Sequence, residues 1–310
     1  MISLKTRALA RLLTALPVLV SLPSTVGLAR AEDAAAATDP SDWEELFKLG
    51  SDYFSGRMYD KAVESLEACV RAKPDYKEAW YNLGIAYGKL SRYRKEIEAY
   101  QKAVTLDARY EKALYNLAIA YEDADLLEDA LGTYERLAQV APDSVDALVN
   151  QGILLARLGQ LQKAVDAYKR ALAIDEGVAD AWYNLGIAWG RIAERETDKA
   201  AREARLGEER AAYERALKIA PDNYKAWYNL AVSHNKRGDT ASEVKAYEQA
   251  LAIRPRYPQA LFNLAYAFED LGQGARASEM WGRYLEVAAE LPSEQDYLVI
   301  ARQNLQRLKP

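Results

Sequence analysis

Ala79–Leu90 reads AWYNLGIAYGKL, Ala181–Ile192 reads AWYNLGIAWGRI and Ala226–Arg237 reads AWYNLAVSHNKR. Three near-copies of one phrase mean that a single structural unit recurs along the chain. The asparagine inside the phrase sets the period. It falls at Asn82, Asn116, Asn150 and Asn184, every 34 residues, then at Asn229 and Asn263, with 11 extra residues before Asn229. Trp80, Leu83, Gly84 and Tyr87 stand at i, i+3, i+4 and i+7, which puts four side chains on one helix face. Leu114, Leu117, Ala118 and Tyr121 repeat that face, as do Trp182, Leu185, Gly186 and Trp189.

A turn follows each such helix, often with glycine (Gly56, Gly159, Gly238, Gly272), and then a second periodic segment such as Ala164, Tyr168, Ala171. Each unit therefore reads as a helix hairpin. Gly84, Gly152, Gly186, Ala130 and Ala164 fall where the two helices would cross, since a bulky residue there would hold the axes apart. Pro74, Pro142, Pro221 and Pro255 end the second helix, lacking the donor that continuation needs.

The order W-x2-L-G-x2-Y, A-x3-Y, A, P resembles the tetratricopeptide repeat, over about residues 43–289. The resemblance implies an all-α, right-handed superhelical solenoid of about seven hairpins. They span 43–76, 77–110, 111–144, 145–178, 179–223 (with the 11-residue insertion), 224–257 and 258–289, before a capping helix in 290–310. Glu96 and Glu243 depart from the usual alanine and His234 from the usual aromatic. Residues Tyr297, Ala301, Leu305 and Leu308 share one face of the final helix, which would cover the apolar end of the array.

Residues 1–31 hold Lys5, Arg7, Arg11 and Arg30, no acid, an apolar run from Leu12 to Val20, and a small-residue exit at Ala29-Arg30-Ala31. That order predicts a secretory signal peptide, followed by a flexible lead-in over 32–42, and an exported, periplasmic bacterial protein. A mitochondrial transit peptide is the alternative. Removing residues 1–31 leaves 37 basic against 46 acidic side chains, a formal net charge of −9. Such a chain lacks the broad cationic field that nucleic acid or an anionic membrane requires, so neither is an expected partner.

One cysteine and one histidine in 310 residues provide neither a Cys/His dyad nor a multi-histidine metal site. No nucleotide-binding glycine loop or nucleophile elbow is present. Cys69 takes the small place of Ala103, Ala171 and Ala250, as a buried apolar residue does, and His234 takes a core aromatic place. The expectation is a non-catalytic protein without cofactor or metal.

The opposite face of each first helix carries a second stripe. It comprises the aromatics Tyr81, Tyr115, Tyr183, Tyr228 and Phe262, the ladder Asn82, Asn116, Asn150, Asn184, Asn229 and Asn263, and the aliphatics Ile85, Ile119, Ile153 and Ile187. Asparagine there can both donate to and accept from a peptide backbone. Lys89, Arg157, Arg191 and Lys236 add positive charge one turn further on. In the tetratricopeptide family this stripe lines a concave groove that holds peptides. The resemblance therefore implies an interaction scaffold binding a peptide or protein partner in a cell-envelope assembly. A self-associating structural component or the recruiting subunit of an enzyme complex are the alternatives.

The insertion lies in RIAERETDKAAREARLGEERAAYERAL, Arg191–Leu217, and eleven residues make almost three whole helical turns. It predicts a lengthened, charged hairpin with Thr197 as N-cap and with Asp198–Arg202, Lys199–Glu203 and Arg205–Glu209 as supporting pairs.

Overall fold

The computed structural model describes residues 42–308. The expected signal peptide, the lead-in up to residue 41 and the last two residues lie outside the described part. Among the described residues the regular structure is helical: seven antiparallel hairpins and one closing helix. The hairpins are α1 Trp43–Ser55 with α2 Tyr59–Ala72, α3 Lys77–Lys89 with α4 Tyr93–Leu106, and α5 Glu111–Asp123 with α6 Leu127–Val140. Then come α7 Val145–Arg157 with α8 Leu161–Ile174, α9 Ala179–Arg195 with α10 Lys199–Ile219, α11 Tyr224–Asn235 with α12 Thr240–Ile253, and α13 Pro258–Asp270 with α14 Gly274–Ala288. A 3-10 turn, Pro292–Glu294, leads into α15 Gln295–Arg307. The chain divides into two compact units after Pro142. Among the described residues, no helix is long and apolar enough to cross a membrane.

Glycine at the crossing is a steric requirement. A Cβ on Gly84 would stand 2.5 Å from Tyr100 Cε1, one on Gly152 2.5 Å from Tyr168 Cε1, and one on Gly186 2.6 Å from Tyr213 Cε1. In these three hairpins the tyrosine of the second helix thus packs directly against a glycine of the first, and all three tyrosines are buried. Trp80, Trp182 and Trp227 act elsewhere, their indole N–H groups donating to the carbonyls of Pro74, Glu176 and Pro221 at 2.8, 2.9 and 2.9 Å. The half-buried indole ties each of these three first helices to the loop before it. Cys69 is fully buried, donates through Sγ to the Trp43 carbonyl at 3.3 Å, and burial pushes its thiol up to about 11.

Within six of the hairpins the turn passes through the left-handed region at one equivalent residue: Arg57, Ser91, Asp125, Gly159, Gly238 and Gly272. Gly56, the glycine that the sequence offered for the first turn, has φ −76° and leaves the left-handed place to Arg57. A backbone N–H from the next residue closes each turn, as Met58 does onto the Tyr53 carbonyl at 2.9 Å.

The insertion is divided between two helices. Helix α9 has 17 residues where the other first helices have 12 or 13, and α10 has 21 where the other second helices have 14 or 15. Whole turns are added to each, so the core faces keep their phase. Two expectations about it fail. Asp198, not Thr197, caps α10, accepting from the Ala201 N–H at 2.7 Å. The i, i+4 pairs are also replaced by longer-range ones: Glu203 meets Arg237 at 3.8 Å, while Glu209 and Glu194 meet Lys236 at 3.2 and 3.4 Å. The carboxylates turn to α11 because its basic end lies against the lengthened hairpin.

Candidate functional site

In the unit ending at Pro142, Tyr81 and Asn82 are buried, Ile85, Tyr115, Asn116 and Ile119 are half-buried, and Lys89 is exposed. The Asn116 amide donates to the Tyr81 hydroxyl at 3.0 Å and to the Lys112 carbonyl at 3.0 Å. Tyr81 also packs against Tyr100 and Tyr110, with ring centroids 5.9 and 5.3 Å apart. Burial raises the Tyr81 phenol, and the Asn116 bond partly offsets it.

In the unit from Asp143 onward, Asn150, Ile153, Tyr183, Asn184, Ile187 and Arg191 are half-buried and Arg157 is exposed. Tyr228, Asn229, Phe262 and Asn263 are half-buried as well. The clasp of tyrosine and asparagine recurs: Asn229 donates to the Tyr183 hydroxyl at 3.1 Å, and Asn263 to the hydroxyls of Tyr228 at 3.2 Å and Tyr247 at 3.0 Å. Burial pushes the Tyr183 phenol up to about 12. Asn184 donates to the Asp180 carbonyl at 2.9 Å, within its own helix.

These bonds redefine what the stripe offers. Asn116 and Asn263 use both amide N–H donors inside the protein and Asn229 uses one of its two, and in each case a bond joins one first helix to the next. Their carbonyl oxygens accept no hydrogen bond among the described residues, and Asn116 and Asn229 share a helix face with half-buried Ile119 and Val232. At Asn116 and Asn263 the amide is left with its acceptor oxygen alone, where the residue type by itself allows both roles.

The positive row is also partly committed. Arg191 Nη1 donates to the Ala156 carbonyl at 2.9 Å, closing the end of α7, and Lys236 bridges Glu194 and Glu209. Phe262 packs edge-on against Tyr266, Trp281, Tyr284 and, on α15, Tyr297 at 5.5 Å. The closing helix thereby covers part of the last stripe, and the Asn304 amide reaches the Tyr266 hydroxyl at 3.2 Å.

Three buried glutamates stand at one equivalent place on second helices: Glu96, Glu209 and Glu243. The first and last were legible as departures from alanine. Glu209 was hidden by the break in the period, although adding the 11 inserted residues to the frame finds it. Ser233 Oγ donates to Glu209 at 3.0 Å, and Asn235 Nδ2 donates to Glu243 at 3.1 Å. Burial raises both carboxyls above the usual range. Each sits in its own helix crossing, so no two form a carboxylate pair. Among the described residues no cluster of histidine, cysteine and acid has the makeup of a metal site.

The tetratricopeptide repeat family model matches residues 47–111, 115–179 and 210–258, more than half of the chain. The chain belongs to the tetratricopeptide repeat family. No curated protein matches it significantly. Among solved structures, it is similar to the C-terminal part of a repeat-containing protein from Cytophaga hutchinsonii, with a TM-score of 0.65 and 14% identity, over 81% of this chain and 99% of that one. YrrB, a tetratricopeptide protein described as having an unusual peptide-binding site, gives 0.54 and 18%, over 64% and 97%. MamA from Desulfovibrio magneticus RS-1 gives 0.52 and 19%, over 59% and 97%. At these identities the likeness establishes the fold. Membership of the tetratricopeptide repeat family supports a protein–protein interaction scaffold.

Proposed function

We propose that the chain holds an extended peptide segment of a partner protein on the stripe of its first helices. The observation that carries this reading is the division of labour at the clasps: amide donors bonded within the protein, amide oxygens that accept no hydrogen bond among the described residues, and half-buried aliphatic side chains on the same helices. An extended peptide presents backbone N–H groups at regular intervals, and a row of asparagine oxygens accepts them. Its apolar side chains are received by Ile85 and Ile119 where it lies on the first unit, or by Ile153 and Ile187 where it lies on the second. Because the tyrosine–asparagine bonds fix the amides before binding, little ordering cost remains for the complex. YrrB, of the same fold, carries a peptide-binding site, which supports the reading by analogy.

The segment 1–31 is proposed as a signal peptide, making this an exported scaffold of a cell-envelope assembly. Fractionation with N-terminal sequencing of the secreted form tests that part. Recovery of the uncleaved chain in the cytoplasm contradicts it. The peptide-binding reading is tested by selecting peptides from a random library on the intact chain and mapping the winner. Contacts on the first-helix stripe support the proposal, and contacts confined to second helices overturn it.

A second reading has its own observation. On α15, Tyr297, Val299 and Ile300 are 48%, 54% and 37% exposed. Two copies joined through that helix would cover them, and sedimentation at rising concentration decides whether they do.

A further inference from the structure

The repeats provide their own controls. One equivalent aromatic of the first helix carries a cation over its ring in several hairpins, and in two of them a glutamate from the preceding second helix neutralises that cation. Lys95 lies 5.2 Å from the Tyr87 ring centre and 3.6 Å from Glu67, which also receives the Tyr87 hydroxyl. Arg276 lies 4.0 Å from the Phe268 ring centre and pairs with Glu248. Aromatic, cation and carboxylate thus form a recurring triad.

Between α8 and α9 the triad is incomplete. The place of Glu67 and Glu248 is taken by Lys169. The aromatic is Trp189, 3% exposed, with Lys169 Nζ 5.2 Å and Arg205 Cζ 5.0 Å from its ring centre. Neither cation forms an ion pair among the described residues. The indole Nε1 and the Arg205 Nε, both shut off from solvent, have no hydrogen-bond acceptor. Two positive charges and two orphaned N–H donors stand where Glu67 and Glu248 hold a carboxylate in their own junctions. Arg205 lies on the front extension of α10, so the insertion itself supplies part of the cluster.

We propose that this cluster receives a carboxylate from outside the chain: an aspartate or glutamate side chain in an acidic segment of a partner protein. The carboxylate takes the position that Glu67 and Glu248 hold in their own junctions. Lys169 is exposed, and rotation of its flexible side chain admits the group to the indole and guanidinium donors. Charge-assisted bonds in so dry a place are stronger than those at an open surface. The site stands on the aromatic face of α9, opposite the asparagine stripe, and does not depend on peptide binding there.

The test uses the full-length chain, a fluorescein-labelled six-glutamate peptide and its six-glutamine counterpart, read by anisotropy. Wild type is expected to bind the glutamate peptide at least about tenfold more tightly, with affinity falling as salt rises. Lys169→Glu, which installs the carboxylate in the chain itself, abolishes that binding and raises the thermal midpoint. Lys169→Ala weakens binding without that rise. The proposal is overturned if the two peptides bind alike, if Lys169→Glu binds as wild type does, or if Lys169→Glu lowers the midpoint. Displacement of the peptide by inorganic phosphate as readily as by unlabelled hexaglutamate also overturns it, since the cluster would then be a site for any anion.

Discussion

The Asn116 amide donates to the Tyr81 hydroxyl at 3.0 Å across successive first helices, and the same bond joins Asn229 to Tyr183 and Asn263 to Tyr228. A residue pair that appears in the sequence as two adjacent repeat letters is in fact a bond between successive hairpins. Tyr81→Phe removes the acceptor while keeping the ring packing. It is expected to cost about 1 kcal/mol, the net worth of one half-buried hydrogen bond. Urea unfolding checks this as a lower midpoint at unchanged slope.

The turn residue Ser91 has φ 56°, where glycine costs nothing and a side chain is strained. Ser91→Gly is therefore expected to stabilise by roughly 0.5–1 kcal/mol, net of the extra freedom glycine gives the unfolded chain. Gly159, already glycine at the equivalent place with φ 76°, is the reverse control. Gly159→Ala should destabilise, although no neighbouring atom obstructs a Cβ there, and thermal melts separate the two signs.

Gly152 tests the crossing. With Tyr168 Cε1 2.5 Å from the position of an added Cβ, Gly152→Ala must push the ring or part the helices. The expected cost is about 1–3 kcal/mol. Gly132 faces open space, so Gly132→Ala should leave the crossing undisturbed and stabilise the helix by helix propensity. Equal melts for the two variants would contradict the steric explanation.

Glu243 is buried, and its carboxyl is raised above 4.5 chiefly by desolvation. A carboxyl with a folded-state value above its unfolded one favours folding most at low pH, and that advantage is lost as pH rises through the folded value. Glu243→Gln keeps an acceptor for Asn235 Nδ2 but sheds the charge. It is expected to melt higher than wild type at pH 7, with the gap closing as pH falls through the raised folded value and closed below about 4.5. A gap that widens on acidification would show that the charged form is the favoured one.

The period was legible because it is written in large residues: tryptophan, leucine and tyrosine at helical spacing leave one face, and glycine at Gly84, Gly152 and Gly186 marks where a tyrosine lies against it. What escaped the sequence depends on distance along the chain. Asp198 capped where Thr197 looked suitable, since both side chains can cap and only the backbone geometry chooses. Glu203 and Glu209 had cations four residues away, yet found Arg237 and Lys236 through the fold. The clasp was visible in principle, as tyrosine followed 35 residues later by asparagine at Tyr81 and Tyr228. Its direction was not, because a repeat letter does not say which neighbour takes the amide proton.

Peptide binding on the first helices is tested most directly by calorimetric titration of a library-selected peptide against three chains: wild type, Ile187→Asp and Ile174→Asp. Ile187 is half-buried on the first-helix stripe, and Ile174 is 44% exposed at the end of a second helix. With helicity checked by circular dichroism, at least about a tenfold loss of affinity is expected for Ile187→Asp and none for Ile174→Asp. Loss of affinity in Ile174→Asp with Ile187→Asp unchanged would contradict the proposal and move the partner to the other face of the hairpins.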